Sequence, residues 1–90
     1  MKAIQITIFG KVQGVFFRAS TKAVADQMGM KGFIKNQKDG TVLIHAEGEP
    51  LFMDDFIGWC KSGPDDARVE DVTIEDAEVK NYRNFEVLKK

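Results

Sequence analysis

A single cysteine at position 60 leaves the chain no means of closing an internal disulfide, so its stability has to come from a packed core. The lone thiol is also in keeping with a reducing compartment, and a cytoplasmic location is expected. With one histidine, one tyrosine and one tryptophan in 90 residues, a histidine-rich metal site is excluded. Neither sign of charge prevails: 13 basic residues face 14 acidic ones, for a net charge of -1. That balance provides no general attraction for nucleic acid or for an anionic membrane, so any anion site must be local. Long apolar runs are missing too. The opening "MKAIQITIFG" is interrupted by Gln5 and Thr7 and precedes no cleavage-like segment, so neither a signal peptide nor a membrane span is expected. Repeats, low-complexity tracts and linkers are also absent, and residues 1–90 are expected to form one domain with one modest core.

What is present is a series of changes in apolar period. Ile4, Ile6 and Ile8 alternate with Gln5, Thr7 and Phe9, the pattern of a strand with one buried face. From Phe17 the spacing becomes helical, with Phe17, Thr21, Val24, Ala25 and Met28 on one stripe. "GFIKN" returns to a strand, "KDGT" reads as a tight turn, and "TVLIHAEG" follows as a strand with Val42, Ile44 and Ala46 inward. Pro50 suits the first turn of a second helix whose apolar face is Phe52, Met53, Phe56, Trp59 and Cys60. Val69, Val72 and Ile74 suggest a fourth strand with a kink between Val69 and Val72, and "NFEVL" a short last one. The order β, α, β, β, α, β with an added terminal strand predicts an α+β, ferredoxin-like sandwich: an antiparallel-type sheet with both helices on one face.

That plan hosts many activities, so function has to be read from side chains. In "GKVQGVFFR" at 10–18, glycines stand where a strand would pass into a helix, and a glycine there costs stability unless the backbone needs it. Residues Gln13, Gly14, Val15, Phe16, Phe17 and Arg18 fall where free amides point out of a helix N-terminus, a position that attracts anions. Gly14 would let successive N–H groups converge, Val15 and Phe17 would pin the loop to the core, and Arg18 would add a planar cationic fork matching phosphate oxygens. The bland alternative is a glycine-containing connection with a surface arginine. In "GFIKNQKDG" at 32–40, Ile34 and Asn36 share a strand face, and Asn36 stands at its polar end. Its amide can hold a water by accepting a hydrogen, or it can cap the neighbouring turn, which is the commoner role for such an asparagine.

Both segments carry a family resemblance. "GKVQGVFFR" resembles the acylphosphatase signature of a glycine, any residue, VQGV, any residue and FR, and "GFIKNQKDG" resembles that family's second signature. "GPDDARV" at 63–69 and the ending "FEVLKK" are similar to further family segments, so the resemblance spans the chain. Phe33 stands where Trp is frequent, which leaves the chemical residues untouched. The resemblance implies hydrolysis of the carboxyl–phosphate bond of a small-molecule acyl phosphate, with no cofactor and no metal. Arg18 would match the phosphate-binding arginine and Asn36 the asparagine that orients water. A monomer with neither a nucleic-acid nor a membrane partner is expected.

Other reactive residues have plainer readings. His45 is out of phase with Val42, Ile44 and Ala46 and should point to the exposed face of the sheet. The acidic doublets at 54–55, 65–66, 70–71 and 75–76 read as solvated surface, because adjacent side chains do not converge on a helix or a strand. Cys60 lies on an apolar stripe and reads as packing. An RNA-recognition module has the same element order but needs aromatic platforms that "TVLIHAEG" does not offer. The nearer rival is a non-catalytic module of the same fold that binds phosphate or an acyl phosphate for regulation.

Overall fold

Seven elements follow in the order β1 (Lys2–Lys11), α1 (Phe17–Gln27), β2 (Lys31–Asn36), β3 (Val42–Gly48), α2 (Pro50–Ser62), β4 (Arg68–Asp76) and β5 (Phe85–Leu88). The structure, a computed structural model, describes residues 1–89. Lys90, the last residue of the "FEVLKK" ending, lies outside them. The strands form one sheet in the order β4-β1-β3-β2-β5. β3 is antiparallel to both β1 and β2, β4 is antiparallel to β1, and only β5 is parallel to its neighbour β2. The α+β, ferredoxin-like plan is therefore present, with a mixed sheet because of β5.

Alternation decides which face is covered. Ile4, Ile6 and Ile8 of β1, Ile34 of β2, and Val42, Ile44 and Ala46 of β3 are buried on the helix side. Phe17, Thr21 and Ala25 of α1 and Met53, Phe56 and Cys60 of α2 close over them. Each large aliphatic or aromatic side chain buried this way contributes roughly 1.5–3 kcal/mol. The helices meet edge to face through Phe17 and Trp59, with ring centroids 5.7 Å apart. Phe52, expected on the apolar face of α2, is 43% exposed, because the buried stripe is centred on Met53, Phe56 and Cys60 and leaves Phe52 on its flank. Among the described residues no helix is long and apolar enough to cross a membrane.

The kink in β4 is a bulge that accounts for Gly10. Phe9 pairs with Asp71 and Gly10 with Val69, so Glu70 is the extra residue. Gly10 has φ 127°, and a Cβ on it would lie 2.1 Å from the Arg68 carbonyl oxygen. Only glycine fits there.

The second face of the sheet corrects the expectation for His45. The side chain does point away from the helices, but it is buried, because residues 77–84 cross that face between β4 and β5. Phe33 stacks on His45 at 5.7 Å and Tyr82 packs against both rings. His45 Nε2 donates to Glu47 Oε2 at 2.8 Å, and the amides of Lys80 and Tyr82 donate to the same carboxylate. Burial alone would raise the pKa of Glu47. The donors from His45, Lys80 and Tyr82 outweigh that effect and hold it below the ordinary 4.5.

Candidate active site

Sheet direction brings the candidate residues together before any side chain is considered. β1 and β2 both run antiparallel to β3, and β5 runs parallel to β2, so all three end at the same edge of the fold. The loop after β1, the hairpin after β2 and the close of β5 are therefore neighbours.

Residues 12–16 turn from β1 into α1 with Gly14 at φ 73° and Phe16 at φ 60°. The first helical hydrogen bond runs from the Ser20 amide to the Phe16 carbonyl at 3.0 Å, and no side chain caps the helix. Among the described residues, none of the turn and loop hydrogen bonds uses an amide from Gly14 to Ala19 as donor. These amides, with the positive end of the α1 dipole, form an anion-attracting concavity. The first turn of α1 carries no acidic side chain to compete with an anion. Val15 and Phe17 are buried and fasten the loop to the core. Phe16 is different. It is a non-glycine residue in left-handed conformation, which costs roughly 1–2 kcal/mol, and it is 78% exposed.

Arg18 and Asn36 line one cavity of about 310 Å³ together with Gly14, Phe16 and Phe17. Gln13 and Val15 do not line it. Arg18 Nη1 donates to the Leu88 carbonyl at 2.9 Å, so one arm of the guanidinium is tied to the end of β5. Asn36 is not the cap of the hairpin. Asp39 does that work: its Oδ1 accepts from the Thr41 amide at 3.0 Å and from the Thr41 hydroxyl at 2.6 Å, which hold its pKa below the ordinary value. Asn36 Oδ1 is buried and has no hydrogen-bond partner, although leaving such an acceptor unpaired costs roughly 1–3 kcal/mol. It is an acceptor with unused capacity beside a cluster of donors.

The Gln13 side chain turns away from the cavity and spans to the hairpin. Its Nε2 donates to the Gln37 carbonyl at 2.7 Å and the Thr41 carbonyl at 2.9 Å, tying the loop that carries the free amides to the hairpin that carries Asn36. Among the described residues, no three His, Cys, Asp or Glu side chains converge as metal ligands would. Burial pushes the Cys60 thiol up to about 12, the opposite of what an attacking thiolate needs.

Known proteins resemble this chain along nearly its whole length. The acylphosphatase family model matches residues 4–87, which takes in the loop, the hairpin and β5. The chain belongs to the acylphosphatase family. A relative from Archaeoglobus fulgidus named acylphosphatase is 48% identical over 87 residues, 97% of this chain and 98% of its own. The crystal structure of acylphosphatase from Bacillus subtilis superposes with a TM-score of 0.94 at 30% identity, covering 98% of this chain and 99% of that one. The structure of an acylphosphatase from Coxiella burnetii gives 0.92 at 37% identity, covering 97% and 92%. Family membership makes the protein an enzyme of the acylphosphatase type.

Three features of the site lay beyond sequence reasoning. The span made by the Gln13 side chain had a weak signal, since a polar residue between Val12 and Gly14 in an apolar segment asks for a partner. The strain at Phe16 had none, because a large aromatic residue is not the type that favours positive φ. The bond from Arg18 to Leu88 joins residues from opposite ends of the chain, and no local pattern announces it.

Proposed function

We propose that the protein hydrolyses acyl phosphates by direct attack of water on phosphorus, with the substrate phosphate held by Arg18 and the loop amides and the water held by Asn36. What carries this reading is the meeting of a donor-lined cradle and one buried, unpartnered acceptor, Asn36 Oδ1, in a single cavity. The phosphate brings negative charge that the amides and Arg18 neutralise. Asn36 Oδ1 accepts a hydrogen of the water and leaves an oxygen lone pair directed at phosphorus. As the new P–O bond forms, the bond from phosphorus to the acyl oxygen breaks and its electron pair leaves with the carboxylate. The proton of the attacking water passes to a non-bridging phosphate oxygen. A carboxylate is a good leaving group, so positioning and charge neutralisation suffice without a strong protein base.

The proposed enzyme is free of metal and cofactor. All of its working groups come from one chain, which favours a monomer whose substrate is a small molecule and whose unit of action is residues 1–90. The lone buried thiol favours the cytoplasm.

Hydrolysis of benzoyl phosphate in water enriched in oxygen-18 tests the reading. Label is expected in inorganic phosphate. Label in benzoate would show attack at the acyl carbon and overturn the mechanism, and no hydrolysis at all would overturn the function.

A further inference from the structure

We propose that Phe16 is a platform for the acyl group and gives the enzyme a preference for aromatic and bulky apolar acyl phosphates over small or charged ones. The inference rests on the functional reading above. A phenylalanine normally stays where burial rewards it, yet Phe16 is 78% exposed, and it occupies a left-handed backbone position that disfavours every residue except glycine and, to a lesser degree, asparagine or aspartate. The one other non-glycine residue with positive φ among the described residues is an asparagine, Asn81. Strain of this kind persists where the surroundings and the work of a site require it. The left-handed backbone belongs to the loop that turns its amides toward the cavity, and glycine would supply it without strain, so what folding leaves unexplained is the exposed ring, whose return has to come from a ligand.

The surroundings identify that ligand. Phe16 lines the same cavity as Arg18 and Asn36, and the remaining side chains of its wall, Val12, Phe17, Ala19 and Val87, are hydrocarbon. At about 310 Å³ the cavity exceeds what a phosphoryl group fills. Its polar groups are those the phosphate and the water already use. The rest of the substrate therefore meets an apolar wall with an exposed ring, and an aromatic acyl group gains offset or edge-to-face contact there. A neighbouring depression shares Asn36 and carries Lys35 and Lys38 against one acidic residue, Asp39, a net positive lining that an anionic acyl group would choose instead.

The test compares kcat/KM for benzoyl phosphate, acetyl phosphate and an acyl phosphate whose acyl group carries a free carboxylate, in wild type, Phe16→Gly, Phe16→Asn and Phe16→Trp. Glycine and asparagine tolerate the backbone conformation, so they remove the ring without adding strain. The benzoyl-to-acetyl ratio is expected to fall about tenfold in both and to be kept in Phe16→Trp. Inhibition of the wild type by benzoylphosphonate, a non-hydrolysable analogue, should exceed that by acetylphosphonate, a comparison that needs no variant. An unchanged ratio in active variants, or equal loss with both substrates, would make Phe16 a matter of loop geometry and overturn the inference alone. Wild-type preference for the substrate with the free carboxylate would move the acyl group to the Lys35 and Lys38 side and overturn it as well. A wild type inactive on all three substrates would instead remove the functional reading, and this inference with it.

Discussion

At the residue scale, the proposed site depends on directed donors more than on charge. Arg18 has one nitrogen committed to the Leu88 carbonyl, which fixes the orientation of its plane and leaves other N–H groups for the phosphate proposed to bind there. A lysine keeps the charge and loses both the fork and the tether. Arg18→Lys and Arg18→Ala are therefore both expected to lower turnover of benzoyl phosphate by about two to three orders of magnitude, and wild-type rates in either would refute the assignment. Gln13 acts through geometry. The carbonyls of Gln37 and Thr41 that it bridges each also accept a backbone amide, so Gln13→Ala leaves neither orphaned and should cost only about 1 kcal/mol of stability. It does free the loop to move against Asn36, and misplacement of reacting groups by about 1 Å can cost on the order of a hundredfold in rate. Steady-state kinetics beside thermal unfolding should show kcat falling far more than Tm.

Among the elements, those with a clear apolar period were legible in the sequence. Strands β1 and β3, the stripe of α1 and the bulge in β4 follow from alternation, helical spacing and an interrupted valine pattern. The two segments that meet at the candidate cavity were legible as well, because a glycine-bearing strand-to-helix loop and a polar residue at a strand end are local patterns. The cover on the second face was not legible. Residues 77–84 have no period, and their hold on β3 consists of two backbone amides and one tyrosine converging on His45 and Glu47, which only the folded chain brings together. This cover makes Glu47 a stability residue. Glu47→Ala leaves the Lys80 and Tyr82 amides and His45 Nε2 without their acceptor and should cost roughly 2–4 kcal/mol, read as a fall in Tm. The folded-state pKa of Glu47 is lowered, so its ionised form contributes stability above the unfolded value near 4.5, and the contribution is lost as pH falls through the lower folded value. Unfolding midpoints below pH 4.5 should therefore decline more steeply for wild type than for Glu47→Gln. Equal slopes would show that Glu47 does not anchor the segment.

For the whole molecule, the sheet topology is what turns scattered residues into a site. Arg18, Asn36 and Leu88 meet because three strands end at one edge, while His45 lies on the opposite face of the sheet and Cys60 in the core. Chelation with EDTA should leave turnover unchanged, and a loss restored by a divalent cation would overturn the metal-free chemistry. The central claim is a division of labour in which the loop and Arg18 hold phosphate and Asn36 holds water. Asn36→Ala separates the two most directly, with kcat for benzoyl phosphate and the inhibition constant for inorganic phosphate measured on the same preparation. The account predicts a fall in kcat of about two orders of magnitude or more with the inhibition constant little changed. A large loss of phosphate affinity with turnover largely retained would contradict it.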